Sequence, residues 1–202
     1  MSDGTKREGL PDRETALALL ERYTQKPGLI KHALAVEAAL RAYAKQRGEE
    51  ADEHAWGLVG LLHDFDYERW PTPDEHPYEG EKILAEHGYP DWFRRAILSH
   101  ADYTGVTRET PLEKTLFACD ELCGFLTACA LVTPTKSLAD VKLKSIKKKM
   151  KSKAFAASVN REDIVNGAVA IQIELAEHIG FVLEALRAVA SELGLDGSES
   201  KT

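Results

Sequence analysis

Cysteine is scarce in this 202-residue chain: there are three, Cys119, Cys123 and Cys129, in one short stretch. An odd number so placed cannot build a disulfide framework and suits buried, reduced thiols. With 14 Gly and 8 Pro, collagen-like and low-complexity classes are excluded. Charge interrupts every apolar run well short of the roughly 20 residues a membrane helix needs, so no membrane partner is expected. The opening Met1-Ser2-Asp3-Gly4-Thr5-Lys6-Arg7-Glu8 lacks the apolar stretch of a secretory signal. Together with the thiols this predicts a cytoplasmic protein.

Hydrophobic residues make up 44% and charged residues 29%, enough for a folded core and in keeping with one domain. Net charge is −7, unevenly spread: residues 136–153 hold eight Lys and one Asp, leaving −14 on the rest. An acidic whole argues against nucleic-acid binding, and the aromatic interleaving of single-strand readers is missing from the lysine run. Val141, Ile146 and Met150 give that run a partial apolar face. It reads either as a solvated helix face or as a rim, centred on Lys147, Lys148 and Lys149, that attracts substrate phosphate.

Nearly every periodic segment reads as helix, so the expected fold is all-α. Asp12 is placed to cap a first helix. Leu29, Ala33, Val36, Leu40 and Tyr43 then step at four and three residues, an amphipathic stripe. A third helix is expected over about 52–64, with Trp56, Val59 and Leu62 toward the core. Residues 65–76 carry two prolines and no period and read as a loop. Pro77 and Pro90 open two short helices. Thr110-Pro111-Leu112-Glu113 is a capping box that starts a helix to about Leu131. Ser137 to about Ala157 is predicted as a basic helix, and Asn160 as the cap of one long last helix to Leu193, which could close the core or form the seam of a homo-oligomer. The first ten residues and residues 194–202 are expected to be disordered around a single domain spanning 11–193, with motif-bearing residues in about 28–131 and added helices in 137–193.

The histidines and aspartates stand out by position. His63-Asp64 ends an apolar helix where the chain opens into a loop, and a carboxylate there is costly unless paired. His32 borders the apolar stripe of its helix, His76 precedes a helix start, and His100 ends a short helix. Asp120 lies inside the apolar run Leu116 to Leu122. Imidazole and carboxylate donors on several helices are what a transition metal takes.

The order His32, His63-Asp64, Asp120 resembles the H…HD…D signature of the HD-domain metal-dependent phosphohydrolases. His76-Pro77-Tyr78-Glu79-Gly80 resembles the HPxxG element of their two-metal members, and His100 falls where those members place another histidine. The resemblance covers about residues 28–126. It implies a helical bundle with additional C-terminal helices, a first metal on His32, His63, Asp64 and Asp120, and a second on His76 and His100 bridged by Asp64. One or two ions of Mn, Fe, Co, Ni or Zn suit such a set. The segment after His63-Asp64, Phe65-Asp66-Tyr67, departs from the Ile-Gly-Lys of many two-metal members, and no Gly-Tyr-Pro motif follows, so a cyclic dinucleotide phosphodiesterase is not supported.

The implied reaction is hydrolysis, by metal-activated water, of a small phosphorylated substrate: a phosphomonoester or a nucleotide-like phosphoester. Beside the ligand Asp64, Asp66 is a candidate to orient the water or act as a base, and equally a loop cap. Lys114 is a candidate to reach substrate, and equally a surface ion pair. Two other classes fit the same residues: an HD-type di-iron oxygenase, and a non-catalytic, metal-containing regulatory module that binds an anionic partner through the lysine helix.

Overall fold

The computed structural model describes residues 9–49 and 52–198. Within these there are nine α-helices and no strand, and the chain divides into two compact units, one up to Leu116 and one from Phe117. The disorder expected of the first residues falls largely outside the described ones.

The first unit holds α1 (Arg13–Tyr23), α2 (Pro27–Gln46), α3 (Glu53–Leu62), α4 (Tyr78–Glu86), α5 (Asp91–Leu98) and the opening turns of α6 (Pro111–Leu131). Asp12 caps α1 by accepting from the Thr15 N–H at 2.8 Å. Pro27 and Gly28 form the first turn of α2, because proline's fixed φ and missing N–H cost nothing there. The stripe from Ala33 to Tyr43 is buried, as its spacing predicts.

Helix α3 is buried all round from Ala55 to Leu62, so its core contact extends beyond the expected face of Trp56, Val59 and Leu62. Its packing on α2 depends on Gly60, where a Cβ would sit 2.9 Å from the backbone of Val36 and Glu37. Buried Glu37 accepts from Arg13 Nε at 2.8 Å and Arg41 Nε at 2.9 Å, so its charge is paired. The capping box at α6 is reciprocal: the Glu113 N–H donates to Thr110 Oγ1 at 3.2 Å, and the Thr110 N–H to Glu113 Oε2 at 2.8 Å.

The second unit contains the rest of α6 with α7 (Leu143–Met150), α8 (Arg161–Ala170) and α9 (Leu175–Ala188). All three cysteines are buried free thiols on α6. Burial pushes the Cys129 thiol up to about 11.

Three sequence expectations need correction here. The basic helix is only the eight residues of α7, preceded by a 3-10 turn at Leu138–Asp140 and followed by turns through Ser158. The expected long last helix is two helices, broken after Ala170 where Gln172 takes a left-handed φ of 59°. The tail expected to be disordered from Gly194 is packed as far as the description extends: Leu195 is 1% exposed, its carbonyl accepts from the Leu138 N–H at 2.9 Å, and Asp196 bridges to Ser137. A buried leucine anchors that segment where composition alone suggested none.

Candidate metal centre

Helix α3 ends at Leu62, and the chain turns so that His63 and Asp64 follow the helix rather than lie in it. His63 is fully buried, and its Nδ1 lies 2.8 Å from the Gly60 carbonyl. His100 repeats the arrangement after α5, with Nδ1 2.6 Å from the Ile97 carbonyl. A carbonyl only accepts, so in both rings Nδ1 carries the proton and a neutral imidazole leaves Nε2 as a bare lone pair. In each case the residue three positions back in the preceding helix orients the ring. The Arg108 guanidinium holds the turn around His100 by donating to the carbonyls of Ser99 at 2.7 Å and His100 at 3.1 Å.

His76 lies just before α4, buried, with Nδ1 2.8 Å from Asp66 Oδ1. The other Asp66 oxygen accepts from the Gly80 N–H at 2.8 Å. Asp66, expected as a water-orienting group or base, is therefore a buried carboxylate with both oxygens engaged. It stands behind His76, between that ring and the first turn of α4.

Asp64 stands among these rings with one oxygen toward each pair. Its Oδ1 is 3.2 Å from His76 Nε2 and 3.3 Å from His100 Nε2. Its Oδ2 is 3.5 Å from His63 Nε2 and 3.9 Å from His32 Nε2. The paired rings also turn Nε2 on Nε2, at 3.2 Å for His32 and His63 and 3.2 Å for His76 and His100. Potential ligand atoms of His32, His63 and Asp64 all lie within 4.8 Å of one another, as do those of Asp64, His76 and His100.

This donor set fits a cation. Ring nitrogens that face one another beside a carboxylate are relieved of lone-pair repulsion by a metal ion or by a shared proton. Without metal the proton serves: burial disfavours a charged His76, but hydrogen bonds and charges from Asp64 and Asp66 outweigh it and hold the ring's pKa up at about 9. Burial likewise opposes ionised Asp64, yet the His63 charge and hydrogen bonds with His100 and His76 keep its carboxyl well below the usual range.

Two tyrosines not singled out by the sequence border the centre. Tyr67, 40% exposed, stands edge-on to the His76 ring at 5.2 Å. Tyr103, 50% exposed, has its phenol pushed up to about 12 by partial burial and by the charges of Asp64 and Asp66. No spacing rule marks them, since both sit in turns.

Lys114, half-buried at the start of α6, makes no ion pair among the described residues. Lys147 and Lys148 are exposed on α7, whereas Lys149 donates to Ser145 Oγ at 2.9 Å and lies 5.5 Å from the Phe155 ring. The other histidines have structural partners: His54 with the Pro11 carbonyl, His87 with the Ile83 carbonyl, and buried His178 with the Ala118 carbonyl.

Residues 29–123 match the HD domain family. Comparison with curated proteins and with solved structures returns no significant match.

Proposed function

We propose that this chain, whose residues 29–123 are an HD domain, is a metal-dependent phosphohydrolase acting on a phosphomonoester or a nucleotide-like phosphoester. One observation carries the reading: Asp64 offers one oxygen to each of two histidine pairs whose Nε2 atoms converge on it. His32, His63 and Asp64 would hold a first divalent ion, with Asp120 the further ligand that the H…HD…D signature implies, and Asp64, His76 and His100 a second. Four imidazoles favour Mn, Fe, Co, Ni or Zn over Mg or Ca. When bound, such ions supply a water of lowered pKa and a Lewis acid for phosphoryl oxygens.

The chain's own part is to hold donors without reorganisation: His63 and His100 are set by helix-end carbonyls and His76 by a carboxylate. Tyr67 and Tyr103 offer phenol edges to the body of a substrate. Lys114, with no carboxylate partner among the described residues, supplies a cation for the equatorial phosphoryl oxygens. Exposed Lys147 and Lys148 attract the anion by their field, and Lys149, already engaged with Ser145, contributes least.

The test is phosphate release from mononucleotides and sugar phosphates with Mn, Co or Ni, comparing the native protein with Asp64→Ala. Release is expected from the native protein and should fall to background in the variant. The same four imidazoles and shared carboxylate also favour a second reading, a di-iron oxygenase, which predicts two irons per chain, an iron EPR signal and no phosphate release. Metal uptake without turnover of any kind would instead mark a regulatory module.

A further inference from the structure

We infer that Asp66 is a positioning residue that fixes His76 in the Nδ1–H tautomer and thereby decides whether the Asp64–His76–His100 position takes a metal. The inference rests on the metal-dependent reading above and concerns a residue outside the ligand set.

The three anchored histidines are not held alike. His63 and His100 each follow a helix, and each finds the carbonyl three residues back, a group the backbone provides whatever the side chains are. His76 precedes a helix, so no such carbonyl is available to it. Its Nδ1 meets Asp66 Oδ1 instead, at 2.8 Å. A carboxylate does what a carbonyl does for the tautomer and, being anionic, also makes the ring a stronger donor.

Asp66 is itself fully buried, a costly place for a charge, and is held by the Gly80 N–H on its second oxygen at 2.8 Å. That contact needs glycine. A Cβ on Gly80 would lie 2.7 Å from Asp66 Cγ, 2.9 Å from its Oδ2 and 3.0 Å from Phe65 Cε1. The glycine four residues after His76 thus gives room to the group that orients His76.

Asparagine at position 66 is nearly isosteric but cannot do both tasks. Two donors, His76 Nδ1–H and Gly80 N–H, point at it, and an amide has one oxygen. With the oxygen toward His76, the amide NH2 faces the Gly80 N–H. In the flipped amide, the NH2 faces Nδ1 and drives the ring proton to Nε2, which blocks the ligand position.

The full chain would be titrated with Co(II), followed by visible absorption and calorimetry, and the zinc-loaded native protein examined by long-range 1H–15N spectra. Native protein is expected to take two ions, with His76 protonated at Nδ1. In Asp66→Asn one affinity should fall about 10- to 100-fold while the other holds, the range usual for losing an orienting partner. Gly80→Ala should reproduce that loss with Asp66 still present. Native protein taking up no metal would overturn both this inference and the function it rests on. Two ions with unchanged affinities in Asp66→Asn, or a native zinc form with His76 protonated at Nε2, would overturn this inference alone; the latter measurement needs no variant to fold.

Discussion

Two connecting stretches of the chain, Phe65 to Gly80 and Ser137 to Ala157, behave in opposite ways. The first has no regular structure before Tyr78, yet Phe65, Asp66 and His76 are buried in it. Its backbone is paired turn by turn, with the N–H groups of Arg69 and Trp70 on the Asp66 carbonyl at 3.0 and 3.1 Å and that of His76 on Thr72 at 2.8 Å. The second has the periodicity of a basic helix but keeps only the eight residues of α7, and Ala156 takes a left-handed φ of 43°. Six of its lysines are exposed and Ile146 alone on α7 is buried. Irregular backbone is held in place where its side chains have buried partners, and a periodic pattern yields only a short helix where few of its residues do.

The difference can be tested by the same truncation in each stretch. Phe65 is fully buried and packs edge-on against Tyr23 with ring centres 5.4 Å apart. Phe65→Ala should cost about 3–5 kcal/mol in denaturant unfolding, the usual range for a buried phenylalanine. Phe155 is half-buried, edge-on to Phe125 at 5.5 Å. Phe155→Ala should cost less, about 1–2 kcal/mol, since part of its apolar area is already in water. Equal losses would mean that the two stretches are held equally firmly.

A smaller effect concerns pH. In chelated, metal-free protein His76 has a folded pKa of about 9, above its ordinary 6.5. A raised histidine pKa adds stability that is fully present below 6.5 and is lost as pH rises through about 9. Buried His178 has its pKa lowered by desolvation, against the opposing bond to the Ala118 carbonyl, so its contribution is present at neutral pH and is lost as pH falls below 6.5. Thermal melts of the chelated protein should therefore decline on both sides, and His76→Gln should remove the alkaline decline only. The smallest expected effect is that of Lys148→Gln, an exposed lysine, which should leave stability within about 0.5 kcal/mol.

Much of the candidate centre was legible because its donors are chemically conspicuous. An aspartate after an apolar helix and a histidine before a proline-led helix stand out in a line of letters. Asp66 and Gly80 did not show their roles, because a carboxylate two residues beyond Asp64 could face either the open side or the ring behind it. The direction of its side chain is a fact of the turn. Tyr67 and Tyr103 were silent for the same reason.

The sequence by itself determined the all-α character, most helix starts and the set of metal-type donors, because caps, prolines and apolar spacing act within a few residues of chain. Tertiary structure decided the rest. It broke the last helix at Gln172, packed Leu195 against a segment more than fifty residues earlier, and turned Asp66 toward His76 and Gly80. Those outcomes depend on which distant groups remove a buried polar or apolar surface from water, and no local pattern carries that information.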